Sequence, residues 1–127
     1  MKNDCAIILF GHGARDPEWA GPMRRVRERL LDSAPGVRVE LAFMEFMNPT
    51  LDEAVDAAVA DGARAVTVVP MFLAQGGHLK RDVPLLVDAA RRRHAGTDFT
   101  LAPAIGEDEG VLAAMAAAAL ACAVRGR

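Results

Sequence analysis

The sequence predicts an α/β fold built on a parallel sheet of four strands, on three observations. Four short apolar runs, at residues 6–10, 37–43, 65–69 and 99–102, alternate with longer segments of helical periodicity, in the order β-α-β-α-β-α-β-α. Alternation of this kind returns each strand to the sheet through a helix, which gives parallel strands and right-handed crossovers. The first and third runs, AIILF and AVTVV, are continuous rather than alternating, as expected of strands covered on both faces. Val66, Thr67, Val68 and Val69 are also β-branched, which favours the strand over the helix.

The helices carry their own start and stop signals. Asp16-Pro17 offers a cap followed by proline at the first helical position. Met23, Val26, Leu30 and Leu31 then recur at near-helical spacing, while Arg24, Arg25, Arg27, Glu28 and Arg29 mark a solvated face. The second helix opens on Asn48-Pro49-Thr50-Leu51-Asp52-Glu53, which contains a Thr-x-x-Glu capping box, and ends at Asp61-Gly62. A third begins near Gly76-Gly77 and ends around His94-Ala95-Gly96, where His94 meets the helix dipole. The fourth starts in the acidic stretch Glu107-Asp108-Glu109 and continues to about Val124.

Composition sets the outer limits. The 127 residues fit a single domain, residues 1–127, with no linker, low-complexity segment or 20–50-residue repeat. At 52% hydrophobic and 25% charged the chain reads as globular and soluble. A net charge of -2 and a pI of about 5.9 argue against a nucleic-acid partner. No apolar run approaches the roughly 20 residues of a membrane span. The N-terminus, MKNDCAIILF, has one lysine, a short apolar part and no cleavage signal, so a signal peptide is not expected. Cys5 and Cys122 lie far apart and read as small buried hydrophobes in a reducing compartment, which points to the cytoplasm.

In a parallel sheet, ligands bind outside the carboxyl ends of the strands. Gly11-His12-Gly13 follows the first strand, Met44-Glu45-Phe46 the second, and Gln75-Gly76-Gly77-His78 the third. Neighbouring strands lie about 4.8 Å apart, so side chains from three such loops can converge. His12, His78 and Glu45 would make an N,N,O set suited to a divalent transition ion, with positions left open for exchange. Glycines beside each histidine let ligand and backbone approach closely. His12 alone also fits a loop histidine bonded to backbone, and Glu45 an exposed carboxylate at a helix start. Two glycine-flanked histidines on one edge favour the site. Trp19 and the cluster Phe43, Met44, Phe46, Met47, Met71 and Phe72 read as core first and as an apolar ligand wall second.

Other chemistries lack their motifs. Asp16 stands where a dinucleotide fingerprint needs its third glycine, and there is no GxxxxGK[ST] loop. The only serine, Ser33, lies late in a surface helix, which excludes a serine hydrolase. A receiver-like signalling domain needs paired acids after its first strand, where Gly11-His12-Gly13 stands instead.

LFGHGARDP, AFMEFMNPTLDEA and VVPMFLAQGGHLKRDVP resemble, in order and spacing, three signature segments of the sirohydrochlorin chelatases of the cobalamin and siroheme pathways. The match is closest to the short form, about half the length of the two-repeat chelatases, and departs from it at Ala14, often serine, and Met71, often leucine. The resemblance implies a three-layer α/β/α sandwich, chelatase-like and of the doubly wound, flavodoxin-like kind. It implies insertion of Co2+, or in relatives Ni2+ or Fe2+, into sirohydrochlorin without ATP or an organic cofactor. The family's metal-binding histidines fall on His12 and His78, and its glutamate on Glu45, as ligand or base. The macrocycle's eight carboxylates give Arg15, Lys80 and Arg81 a substrate-binding role, beside Gly76 and Gly77. A non-catalytic metal or tetrapyrrole carrier would share all of these features. Because the two-repeat relatives enclose substrate between two halves, this chain is expected to form a homodimer. The fourth helix, apolar all round, is one candidate interface and the loops around the site are another.

Overall fold

The elements run β1 (Cys5–Gly11), α1 (Gly21–Ser33), β2 (Arg38–Phe43), α2 (Leu51–Ala60), β3 (Ala65–Pro70), α3 (Gly77–Arg93), β4 (Asp98–Leu101) and α4 (Glu109–Arg125) in the computed structural model, which describes residues 4–126. Lys2, part of the signal-peptide argument, lies outside the described residues. All strand pairs are parallel, in the order β2-β1-β3-β4. No helix among the described residues is long and apolar enough to cross a membrane.

The two sheet faces are filled by alternate residues of the same strands. Ile8, Phe10, Val66 and Val68 join Val55 of α2 and Val83 and Val87 of α3 in the larger core. Leu9, Val39 and Phe43 point the other way, onto Met23 of α1. Here the reading of strands covered on both faces needs correction. On β3, Val66, Val68 and Pro70 are buried, but Ala65, Thr67 and Val69 are only partly so. The cause is α4. In this topology the last helix is the natural cover for the α1 side of β3 and β4, yet α4 stands off the sheet with no buried residue. Its main contacts are with the 3-10 turn Ile105–Glu107 that precedes it.

Two further expectations change. Asp16 caps a 3-10 turn, Pro17–Ala20, rather than the long helix, accepting from the Glu18 N–H at 2.9 Å. Pro22 is the reason: it has no N–H, and its ring opposes the carbonyl four residues back, so the helix restarts with proline in its first turn. Both cysteines are exposed rather than buried, because Cys5 is the first residue of β1 and Cys122 lies on the uncovered α4. The Thr50–Glu53 capping box forms in both directions, with bonds of 2.9 and 3.2 Å.

His94 caps the C-terminus of α3, but its closest partner is on another helix. Its Nε2 lies 2.7 Å from Asp56 Oδ1 of α2, which Arg93 Nη2 also reaches at 3.1 Å. The His94 hydrogen bond holds the Asp56 carboxyl below its ordinary range; partial burial opposes this and Arg93 assists. A carboxylate with a lowered folded-state pKa stabilises the fold above its unfolded value, and that contribution is lost as pH falls through the folded one. Asp56 is exposed, so the expected worth is about 0–1 kcal/mol. Urea midpoints of the wild-type and Asp56→Asn proteins should differ at pH 6, and the gap should narrow as pH falls below about 4. A gap that widens below about pH 4 would refute the assignment.

Candidate functional site

Gly13 decides how the first two strand-end loops meet. Its φ of +94° lies in the left-handed region, and a Cβ there would collide with the Glu45 carbonyl oxygen. With glycine in place the backbones zip together past the strand ends. Met44 N–H donates to Gly11 O at 2.9 Å, and Glu45 N–H to His12 O at 3.1 Å. This carries the β1–β2 register, Gly11 opposite Phe43, one step further. His12 and Glu45 thereby become neighbours, with Nε2 and Oε1 2.9 Å apart. Both side chains are about half exposed, at 47% and 50%, so a ligand can reach them.

A carboxylate only accepts, so Nε2 of His12 carries the hydrogen of this bond. In the neutral ring Nδ1 then holds the lone pair. Carboxylates orient metal-ligating histidines in this way, by taking the N–H of the nitrogen that does not bind metal.

His78 is built similarly from a different element. It sits in the first turn of α3, which Gly76 opens without a side-chain cap. Nε2 lies 2.9 Å from Asp82 Oδ2, one helical turn on, and Nδ1 lies 3.3 Å from Arg81 Nη2. A guanidinium only donates, so Nδ1 accepts and the proton resides on Nε2. The ring is 76% exposed. An added Cβ at Gly76 or Gly77 would meet nothing within 4 Å, which leaves open space beside the histidine. Pro84, inside α3, cannot donate to the Lys80 carbonyl, so this first stretch of α3 lacks one bond to the rest of the helix.

The structure therefore joins His12 to Glu45 and leaves His78 with Asp82. Among the described residues no group of three or more His, Cys, Asp or Glu side chains converges tightly enough to hold a metal ion. Of these two pairs, Asp82 alone lines a cavity of about 310 Å³. Met44, beside Glu45, lines it from the β2 loop, and Asp82, Leu85 and Leu86 line it from α3.

Around the site stand apolar and cationic groups. Phe43 and Phe72 belong to the core, and Met44, Met47 and Met71 pack against it, as the primary reading of the cluster expects. Phe46 does not: it is 57% exposed, at φ 67°, with the Arg15 guanidinium 5.0 Å from its ring centre. A bulky residue rarely adopts that φ without a local reason. Leu73 and Leu85 are exposed as well. Trp19 is exposed as well, not core, and its ring packs edge-on against Phe43 at 6.5 Å. Lys80 and Arg81 are exposed on the first turn of α3. Asp82 is the neighbour of the site that the sequence reading lacks, although its i,i+4 spacing from His78 signals it. Phe46 belongs to the apolar cluster named from sequence, but its left-handed backbone has no signal in a run of large apolar residues.

Comparison with known proteins yields one consistent result. A family profile described as CbiX matches residues 6–121. The sirohydrochlorin cobaltochelatase of Saccharolobus solfataricus is 37% identical over 109 residues, covering 81% of this chain and 84% of that protein. The one from Methanococcus aeolicus is 37% identical over 82 residues, 65% of this chain. The matched stretch spans only 57% of that relative, and 35% of the cobaltochelatase of Priestia megaterium. Among solved structures, the cobalamin (vitamin B12) biosynthesis CbiX protein of Marinobacter aquaeolei VT8 superposes with a TM-score of 0.83 at 32% identity, over 95% of this chain and 98% of that one. Sirohydrochlorin chelatase SirB of Bacillus subtilis subspecies spizizenii, in complex with cobalt, superposes with a TM-score of 0.74 at 30% identity, over 90% of this chain and 48% of that one. A structure of SirB from Bacillus subtilis with Fe3+ gives 0.73 at 29% identity. On the profile match and on relatives of this similarity, the chain belongs to the CbiX family.

Proposed function

We propose that the protein inserts a divalent metal ion, Co2+ in preference to Ni2+ or Fe2+, into sirohydrochlorin without ATP. We read it as a cytoplasmic homodimer with no organic cofactor and no nucleic-acid or membrane partner. The observation that carries this reading is the exposed His12–Glu45 pair at two adjoining strand ends, in a chain whose relatives are named for this reaction. The iron-bound relative keeps the choice of metal open to test.

The chemistry has three requirements. A dication must be held loosely, two inner-nitrogen protons must be removed, and a macrocycle with an acidic rim must be oriented. Nδ1 of His12 supplies one nitrogen donor, and Glu45 fixes its ring. His78 supplies a second once Arg81 leaves its Nδ1, and an arriving substrate carboxylate offers Arg81 that alternative. Two histidines and a carboxylate leave a coordination shell incomplete enough to release the ion. A metal-bound imidazole is a poor base, so proton removal falls to Glu45 or to whichever histidine is metal-free at that moment. Phe46, Leu73 and Leu85 offer an apolar wall to the ring, and Arg15, Lys80 and Arg81 offer cations to its rim.

Incubation with sirohydrochlorin and Co2+, followed by absorbance against the spontaneous rate, tests the activity. A carrier would bind without accelerating insertion. Glu45→Gln should give an intermediate loss, about 10-fold. The amide can still receive the His12 hydrogen bond, but it cannot take a proton. An unchanged pH–rate profile in that variant would remove Glu45 as a base.

A further inference from the structure

His78, Arg81 and Asp82 form a closed triangle in the first stretch of α3. His78 Nε2 lies 2.9 Å from Asp82 Oδ2, Arg81 Nη2 lies 3.3 Å from His78 Nδ1, and Arg81 Nε lies 3.5 Å from Asp82 Oδ1. The three sides are unequal. The histidine–carboxylate contact is short, and Asp82 is the least exposed of the three, at 33%. Both guanidinium contacts are longer than an ordinary N–H hydrogen bond, and Arg81 is 69% exposed. The His78–Asp82 pair is thus the fixed part, and Arg81 is laid over it.

The Arg81 bond falls on the nitrogen that a metal ion needs. With its Nε2 hydrogen given to Asp82, the neutral ring has a single lone pair, on Nδ1. A metal ion bound by imidazole sits about 2.1 Å out along that lone pair. A guanidinium nitrogen already faces it at 3.3 Å. The two cannot share the position, and a cation beside the nitrogen repels a dication as well. His12 is arranged differently. Glu45 takes its Nε2 hydrogen in the same way, but among the described residues no hydrogen bond covers its Nδ1. Of two histidines in the same tautomer, one is open and the other is closed.

We infer that Arg81 is a gate on His78: it keeps the metal-accepting nitrogen closed in the unliganded protein, and a carboxylate of the arriving macrocycle opens it, so that the tetrapyrrole binds before both histidines can hold the metal. The inference rests on the reaction proposed above and adds the order of its substrates. The exchange is favourable because a carboxylate takes two parallel N–H bonds from a guanidinium, each stronger than one to a neutral imidazole. Position favours it too. Arg81 and Leu85 are four residues apart on α3 and share a helix face, so a ring seated on the exposed Leu85 brings its acidic rim over Arg81. A closed His78 also guards the choice of metal. Nitrogen and oxygen donors bind Ni2+ and Cu2+ more tightly than Co2+, so a protein that presented both histidines at once would fill with the wrong ion before its macrocycle arrived.

Calorimetric titration of the full chain with Co2+ alone, without tetrapyrrole, provides the first test. Arg81→Leu should bind Co2+ about 10-fold more tightly than wild type, the worth of one hydrogen bond to a charged group. In a His78→Ala background the same substitution should change the affinity less than about 2-fold. Circular dichroism verifies that the variants fold. Unchanged cobalt affinity in Arg81→Leu overturns the gate. An equal gain with and without His78 overturns it too, because the effect is then only the loss of a surface charge. Steady-state kinetics test the opening. With sirohydrochlorin saturating, the wild-type gate is open as well, so KM for Co2+ in Arg81→Leu should lie within about 2-fold of wild type while KM for sirohydrochlorin rises. A KM for Co2+ that stays about 10-fold lower in the variant under those conditions means that wild type is still shut, and overturns opening by the macrocycle. Wild-type protein that inserts no cobalt removes the proposed reaction, and the titration then still decides whether Arg81 closes His78.

Discussion

His12→Ala and His78→Ala proteins are each expected to lose at least about 100-fold in cobalt-insertion rate while unfolding at the wild-type urea midpoint. Stability is spared because neither ring contributes to the core: both are exposed, and each is held only by polar side chains near the surface, Glu45 for His12 and Asp82 with Arg81 for His78. The rate suffers because each histidine is one of two nitrogen donors, and neither Glu45 nor Asp82 can replace it. The two losses should differ in kind. His12 is oriented in advance by a carboxylate on an adjoining strand, whereas His78 must first exchange Arg81 for substrate. His12→Ala should therefore mainly lower kcat, and His78→Ala should raise KM for the metal as well. Near wild-type turnover in both variants, with substrate limiting, would move the site elsewhere.

Gly13→Ala should be the most destabilising single change at the site, costing about 2–4 kcal/mol. Two penalties act together. Alanine at φ +94° is strained, and its Cβ cannot fit against the Glu45 carbonyl without opening the Glu45–His12 backbone bond. Gly77→Ala is the control. Its Cβ meets open space, so stability should stay within about 0.5 kcal/mol of wild type. Chemical denaturation of the two variants side by side measures the contrast, and equal midpoints would contradict the role given to Gly13.

The strands and the α2 cap were legible because their signals are local: continuous β-branched runs and a Thr-x-x-Glu box act within a few residues. The start of α1 was misread because Asp16-Pro17 and Gly21-Pro22 are competing start signals, and only backbone geometry shows that the later one begins the α-helix. The place of α4 could not be read at all. Its sequence is apolar all round, and nothing local in it says where the helix lies. At the site, strand-end reasoning points to His12, His78 and Glu45 because topology alone brings those loops to one edge; of these the structure pairs only His12 with Glu45. Strand-end reasoning does not show that each histidine is paired with its own carboxylate. Cys5 and Cys122 depart from the expected burial because the beginning of a strand and an uncovered helix offer a small apolar side chain no core to enter.

The backbone zipper between Gly11-His12-Gly13 and Met44-Glu45 has a consequence for how the chain can vary in length. Each bond pairs a fixed residue of one loop with a fixed residue of the other. One residue inserted on either side of His12 would move a side chain into the place reserved for Gly13 and turn the imidazole away from Glu45. On this edge length is therefore as constrained as residue identity. The approach to His78 is different: a Cβ at Gly76 or Gly77 would meet open space, and His78 takes its partners from its own helix. Insertions and deletions between Leu73 and Gly77 can therefore be absorbed, and that loop can change its reach for a differently shaped ligand while the His12–Glu45 half of the site stays as it is.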